Sequence, residues 1–468
     1  MALSRIWAAF IIIAIIAATV QCISPGGSRD IYSRMVTGKS GDTAHTHSLD
    51  SASLSPSVIK SLTASKESKS GNEKITRTAD GKFLAYQEQS ADGIIPTCKS
   101  AVDIAINLIG IMALFMGFMS IAERAGGIRM LSKLIGPFFT KLFPGIPKGH
   151  PSMGHMMMNF SANLLGLDNA ATPFGIKAME SLQELNPKKD TASNAQIMFL
   201  CLHASGLTLI PVSIIAARAA LKATNPTDIF VPCMIATFLA TMAAMLIVSF
   251  KQKINIFQPV VLAWIGGLSA IIALLVVYLH SLPFAGVQSF SSILSNGLIL
   301  FIFFCIVAGA LYKNINIFDA FVEGAKNGFE TAIRIIPYLV GMLVAISMLR
   351  TSGTFDVIIQ GMKHLFAALG TDTRFVDGLP TALIKPLSGS GARGMMIDTM
   401  KAGSPDSFAG RLACILQGSS DTTFYVVAVY FGAVSIRNTR YAIGTMLLAD
   451  LVGIVSSIIL CYLFFGRA

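Results

Sequence analysis

Asn163-Leu-Leu-Gly-Leu-Asp-Asn-Ala-Ala-Thr-Pro173 and, further on, His203-Ala-Ser-Gly-Leu-Thr-Leu-Ile-Pro211 set clusters of polar side chains, glycine and proline inside otherwise apolar sequence. The same order returns in the second half of the chain, as Pro386-Leu-Ser-Gly-Ser-Gly-Ala-Arg-Gly394 followed by Gln417-Gly-Ser-Ser-Asp-Thr-Thr-Phe-Tyr425. In lipid, polar groups and unwound backbone are stable only where they line a protein-enclosed cavity. A duplicated set of them predicts a binding site between two repeats, the architecture of a transporter.

The surrounding composition identifies the solvent. Of 468 residues 53% are hydrophobic and 13% charged, mean hydropathy is +0.65, and soluble domains carry about a quarter charged residues. The expected fold is therefore all-α and polytopic, with the lipid bilayer as its main partner. Apolar runs approach the roughly 20 residues that span the hydrocarbon core. They lie at 6–20, 101–121, 195–217, 229–250, 257–280, 293–312, 333–349, 412–434 and 443–465, with Arg411 and Asp421 among the interruptions. The net charge of +11 comes mostly from Lys and Arg beside apolar runs, where basic residues set orientation. No basic stripe with interleaved aromatics argues for nucleic acid. The seven cysteines form no CxxC, and five lie in apolar stretches as small buried hydrophobes. Cys22 and Cys98 flank the one long polar segment and are placed to pair if it faces an oxidising compartment.

Residues 1–21 read as a retained membrane anchor rather than a cleaved signal peptide, because the apolar run reaches Val20 without a small-x-small site before Gln21. Residues 22–100, rich in Ser, Thr, Lys, Gly and Asp, have the composition of a disordered loop, with His45 and His47 as solvated bystanders. The first repeat is expected over 101–255, connecting membrane helices over 256–320 and the second repeat over 321–468. Weak matches in one order support the duplication: Arg124 with Arg350, Gly127 with Gly353, Met179 with Met400, and the His203 region with the Gln417 region. Each repeat reads as a membrane helix, an amphipathic helix, a re-entrant hairpin, a helix unwound at its polar cluster, and a final span. Basic residues and Pro137, Pro144 and Pro147 make 129–149 interfacial rather than spanning. If the hairpin dips and returns, an odd number of crossings separates the repeats and they are inverted. The positive-inside rule agrees over the first half and disagrees at Arg350, Lys363, Arg374 and Lys401.

Asn163, Asp168, Asn169 and Thr172, with Pro173, sit where a hairpin tip breaks its helix. Such a tip holds a solute or a cation, or its polar residues merely cap the next helix. Ser388, Ser390, Arg393 and Asp398 occupy the second tip, where Gly389-Ser-Gly-Ala-Arg-Gly394 matches GxGxxG but follows no strand, so it reads as unwound backbone rather than a dinucleotide loop. Lys385 and Arg393 either meet an anionic solute or pair with Asp398 or Asp421. The unwound helices add His203, Ser205 and Thr208 on one side and Gln417, Ser419, Ser420, Asp421, Thr422 and Thr423 on the other. Asp421 leads, since an intramembrane carboxylate is a functional candidate by default, as ligand of a coupling cation or acceptor for a solute. The hydroxyls serve equally as interhelical glue. His150-Pro-Ser-Met-Gly-His-Met-Met-Met158 offers soft ligands suited to Cu(I), but Met also fills gaps in packed helices, and no metal or cofactor is expected. Nothing has the pattern of a catalytic triad or a carboxylate pair, so no enzyme is expected.

Leu142-Phe-Pro-Gly-Ile-Pro147, Met158-Asn-Phe-Ser-Ala-Asn-Leu-Leu-Gly-Leu-Asp-Asn-Ala-Ala-Thr-Pro-Phe-Gly175 and Ser205-Gly-Leu-Thr208 resemble the spore maturation protein A family. Lys385-Pro-Leu-Ser-Gly-Ser-Gly391, Pro405-Asp-Ser-Phe408 and Gln417-Gly-Ser-Ser-Asp-Thr-Thr-Phe-Tyr425 resemble the B family. The likeness covers 101–468 and is that of an A and B fusion within the nucleoside-recognition, or gate, membrane families. It implies transport or gating with inverted repeats in a bacterial inner membrane, and in spore formers a role in core dehydration. The chain departs from the pattern in its long polar segment and in His203, which stands where the family usually carries Asn. The expectation is alternating access to a small polar or anionic solute, with a coupling cation near Asp421 and homo-oligomers compatible with the sequence. The alternative is a non-transporting envelope scaffold or sensor.

Overall fold

A computed structural model describes residues 2–24, 29–49, 67–70, 73–77, 83–91, 93–164, 168–206, 208, 210–282 and 284–466. Helix α1 (Ala2–Ile23) lies against the second half of the chain, where Trp7 Nε1–H donates to Gly341 O at 2.9 Å and Gln21 Nε2–H to Ser352 O at 2.7 Å. Helix α2 (Ile31–Thr37) buries Ile31 and Met35. The region expected to lack structure instead carries α2 and a four-stranded antiparallel sheet: β1 (Lys39–Leu49), β2 (Glu67–Ser70), β3 (Glu73–Arg77) and β4 (Phe83–Ala91). The strand order is β1-β4-β3-β2, with Leu49 opposite Phe83, His45 opposite Gln87 and Thr76 opposite Leu84. Polar residues occupy both alternating sets of positions in β1, so the period-2 hydrophobic signal that betrays a strand is missing. Cys22 and Cys98 are both free thiols.

Helix α3 (Ile94–Arg124) begins inside the segment read as polar. Gly126, at φ +83°, turns the chain into α4 (Gly127–Leu142), which buries Ile128, Phe138 and Leu142 and leaves Met130 and Leu134 exposed. Helices α5 (Pro151–Leu164) and α6 (Asp168–Glu184) pack on each other as a hairpin. At 14 and 17 residues, both fall short of the roughly 20 that cross a bilayer. A capping box of Ser193 and Gln196 starts α7 (Asn194–Ala204). The run expected over 195–217 is not one helix: it breaks after Ala204 and resumes as α8 (Val212–Ala220), before the full-length α9 (Phe230–Gln252). Helices α10 (Pro259–Ser281) and α11 (Phe284–Tyr312) connect the halves. Only 6% of the apolar window of α10 is buried, as suits a helix that is apolar all round and faces lipid.

The second half repeats the series: α12 (Ile317–Thr351), α13 (Thr354–Ala368), a 3-10 turn (Arg374–Gly378), the hairpin of α14 (Leu379–Ile384) and α15 (Gly389–Gly403), then α16 (Phe408–Gly418). After a break come α17 (Thr423–Val426), a π turn (Val427–Phe431) and α18 (Ala442–Phe465). Gly353, at φ +69°, makes the turn into α13. Both turns need the left-handed backbone that glycine tolerates, so Gly126 rather than Gly127 corresponds to Gly353, and the expected match of Arg124 with Arg350 slips by one residue.

The two opening helices of the repeats cross at backbone contact. A Cβ on Gly328 of α12 would lie 2.7 Å from Met112 O and 2.8 Å from Ala113 Cα of α3, and one on Gly324 would lie 2.5 Å from Ser120 Cβ. This is the small-xxx-small packing of membrane helices, where close backbone approach replaces the hydrophobic drive. A buried ion cluster makes a second tie. Arg218, fully buried in α8, reaches Asp228 at 2.9 Å, Asp406 at 3.0 Å and the carbonyl of Asn225 at 3.1 Å, and also donates to Pro405 O; Arg411 closes the cluster on Asp228 at 2.9 Å. Among the described residues seven segments are long and apolar enough to cross a membrane, six of them single helices and the seventh, Phe408–Phe431, running through the break after α16.

Candidate functional site

The break after α7 places His203, buried in its last turn, at the meeting of the two halves. Its Nδ1 lies 3.0 Å from Asn159 Oδ1 and 2.8 Å from the Asn163 amide, both on α5. Asn159 commits its own N–H to Ala171 O at 2.6 Å and presents its oxygen to Nδ1, while the Asn163 amide nitrogen reaches the same Nδ1, so the two asparagines offer that nitrogen an acceptor and a donor. The other ring nitrogen, Nε2, then faces Asp421 Oδ2 of the second half at 4.0 Å. A lone pair on Nε2 would be repelled by this carboxylate, so the gap is suited to a cation or to a proton on Nε2. Tyr430, from the π turn of the second half, meets the His203 ring edge-on at 4.7 Å.

On the opposite side, the backbone of the second break is pinned at both ends. Asp421 N–H donates to Ala204 O at 2.6 Å, and Phe424 N–H donates to Pro386 O at 2.9 Å. Asp421 Oδ1 takes the Thr422 N–H at 2.7 Å, and the Asp421 side chain remains 49% exposed, open to whatever fills the space beside it. Gly389 at the second tip sits so close to Thr422 that a Cβ would lie 2.7 Å from its hydroxyl. Thr423 Oγ1–H donates to the buried Asp450 of α18 at 2.6 Å, and Ser420 shares that carboxylate. Gln417 Oε1 is buried with no hydrogen-bond partner among the described residues.

Not every residue expected at the site faces it. Ser205 returns its hydroxyl to Cys201 O and Leu202 O, Ser419 to Leu416 O, and Thr208 to Gly206 O. Ser388 caps α15 on the Gly391 N–H, with Ser390 3.3 Å away. Arg393 is half-buried in the first turn of α15, whereas Asp398 lies further along and pairs with Arg350 at 2.5 Å, not with Lys385 or Arg393. Asp168 and Asn169 open α6, and their side chains lie outside the described residues. His150 and His155 each bond a serine, Ser152 and Ser181, at 2.9 Å.

Three site residues escaped sequence reasoning. Asn159 stands four residues before Asn163 on the same helical face, a spacing that was available as a signal. Asp450, a lone carboxylate in the apolar 443–465 run, carried the same signal as Asp421. Tyr430 carried none.

A family model described as Gate, nucleoside recognition, matches residues 105–221 and 332–437. Spore maturation protein B of Bacillus subtilis (strain 168) is 50% identical over 167 residues, 35% of this chain and 92% of that protein. Spore maturation protein A of the same organism is 41% identical over 156 residues, 33% of this chain and 80% of that protein. A solved structure of a CNTnw double variant in an outward-facing state has a TM-score of 0.34 at 14% identity, covering 99% of this chain and 91% of that one. The chain is a multi-pass membrane protein that belongs to the nucleoside-recognition Gate family and joins a spore-maturation-A-like part to a spore-maturation-B-like part.

Proposed function

We propose that this protein moves a small polar or anionic solute across a bacterial inner membrane by alternating access. The observation that carries the reading is the His203–Asp421 gap, in which one helix break from each half contributes one polar group. Half-length hairpins and interrupted helices around such a gap are the arrangement transporters use to bind solute near the bilayer midplane. Taking the α5–α6 hairpin as re-entrant leaves five crossings from the start of α3 to the start of α12, namely α3, the broken α7–α8 span, α9, α10 and α11, and so inverted repeats. The Asn163 amide, the Gln417 oxygen and the exposed Asp421 carboxylate supply donors and acceptors for a hydrogen-bonding solute, and Arg393 of the second tip supplies a cation for an anionic group. A cation or proton shared by His203 and Asp421 is the proposed coupling species. The role is transport rather than catalysis.

The scaffold or sensor alternative draws on Ser205, Ser419 and Thr208, whose hydroxyls serve their own backbone segments. A thermal-shift screen of purified protein against nucleosides, nucleotides, amino acids and isoprenoid phosphates, run beside Asp421→Ala, separates the two. A shift in the wild type that Asp421→Ala loses supports transport. A folded Asp421→Ala with undiminished ligand shifts contradicts it. Absence of any shift, with a destabilised Asp421→Ala, favours the scaffold.

A further inference from the structure

Lys385 follows α14 immediately before the second tip, and its side chain is 5% exposed. The ammonium donates to two main-chain carbonyls at the end of α16, Leu416 O at 3.1 Å and Gln417 O. Helix α16 stops at Gly418; Leu416 O is also met by the Ser419 Oγ–H at 2.9 Å, whereas Gln417 O is one of the carbonyls that a helix C-terminus leaves without an intrahelical donor, and both carry the negative end of the helix dipole. Asp421 and Asp450 lie within electrostatic reach of the same ammonium, and Arg393 is the cation that opposes it. Converging oxygens with carboxylates behind them are what an alkali-metal ion asks of a site.

The first half is built otherwise. With Met179 set on Met400, Leu164 takes the place of Lys385. There Leu202 O takes the Ser205 Oγ–H at 3.1 Å, as Leu416 O takes the Ser419 Oγ–H, but His203 O, the counterpart of Gln417 O, is met locally by the Gly206 N–H at 3.1 Å.

We propose that the Lys385 ammonium is a tethered resident cation, filling a metal-ion-like site made by the terminal carbonyls of α16 in the field of Asp421 and Asp450, so that no exchangeable metal ion binds there. This deepens the transport reading by confining any exchangeable cation to the His203–Asp421 gap. Its test reads cation-dependent stability, and its outcome does not depend on whether a solute is moved.

The experiment is thermal unfolding of the purified full chain in sodium, potassium, lithium and N-methylglucamine chlorides at equal ionic strength, with ethylammonium chloride as a further arm. The wild type should show no cation-selective rise in Tm that depends on Asp450. Lys385→Ala should unfold at a lower temperature and regain most of the loss, saturably, on addition of a small alkali cation or ethylammonium, because a ligand that binds only the folded state stabilises it. A folded Lys385→Ala whose Tm is the same in all these salts overturns the proposal. If Lys385→Ala does not fold, Lys385→Ser, which adds a hydroxyl ligand for an entering cation, is subject to the same expectation. The wild-type arm decides by itself if neither variant folds: a selective cation effect lost in Asp450→Asn but kept in His203→Asn places an exchangeable ion at the site and overturns the proposal, and its absence supports it.

Discussion

His203 Nε2 and Asp421 Oδ2 face each other across 4.0 Å, each from the break of a helix in a different half of the chain. Asn159 holds the imidazole from behind through Nδ1, and the Asp421 N–H to Ala204 O bond sets the two breaks in register. Neither half alone contains the pair, so whatever binds between these groups reads the relative position of the halves. A site of this kind is sensitive to any rocking motion that separates them.

Asp421→Asn should abolish the solute-induced rise in Tm while changing the stability of the unliganded protein by no more than about 0.5–1 kcal/mol, since the carboxylate is half-exposed and without a close cation in the other half. His203→Phe should behave differently. It strands Asn159 Oδ1 inside the protein, and a buried acceptor without a partner costs about 1–3 kcal/mol. Thermal unfolding with and without the best ligand from the screen measures both effects. Equal destabilisation by the two substitutions would contradict the assigned geometry.

The broken helices were legible because polar and glycine-rich clusters inside apolar runs have few stable solutions in lipid. That rule points to Asn163, His203 and Asp421, and the structure sets Asn163 on one nitrogen of the His203 ring and Asp421 4.0 Å from the other. Ser205 and Ser419 were found by the same rule, yet bond their own helices, because composition does not reveal which way a hydroxyl turns. The one-residue slip between Gly126 and Gly127 turns on backbone dihedral angles, which two adjacent glycines leave ambiguous. Strands β1 to β4 were illegible for a different reason: they are held by backbone pairing in a polar segment, where hydrophobic periodicity carries no information.

Gly328→Leu should be among the most damaging single changes to the fold. A side chain there enters the backbone of α3 at Met112 and Ala113, and overpacking costs typically about 1–3 kcal/mol, more where backbone must move. Gly297→Leu, on α11 with open space where its Cβ would stand, is the control and should be tolerated. Fluorescence-detected size-exclusion chromatography after a heating step compares them. Similar survival of both variants would rule out the tight α3–α12 crossing.

Thr423→Val removes the hydroxyl that donates to Asp450 at 2.6 Å while keeping the shape of the side chain. Hydrogen bonds to charged groups contribute about 1.5–3 kcal/mol, so the variant should lose stability on that scale. The loss should largely vanish in an Asp450→Asn background, because the two side chains share one interaction. Additive losses would mean that Thr423 and Asp450 act independently.

The Arg218 cluster gives the fold a titratable tie between its halves. Replacing Arg218 by Met leaves Asp228 and Asp406 to share Arg411 alone, and since removing one partner of a buried pair outright costs about 3–5 kcal/mol, the loss should approach but not exceed that range. The two carboxylates respond to pH in opposite senses. Burial raises the Asp228 carboxyl above its ordinary range despite Arg218 and Arg411. Burial also pushes the Asp406 carboxyl up, but the Thr224 N–H at 2.8 Å and the two guanidiniums outweigh it and hold the group below that range. A depressed folded-state carboxylate contributes stability that is present above its unfolded value of about 3.9 and lost as pH falls through the lower folded value. The stability difference between wild type and Asp406→Asn should therefore be flat from neutral pH down to about pH 5 and shrink below about pH 4. Asp228 acts in reverse, its raised value favouring the fold when protonated, so the margin of wild type over Asp228→Asn should grow as pH falls. Denaturation midpoints of the three proteins across that range supply the test, and parallel pH profiles would show that the two carboxylates do not differ in the way their surroundings require.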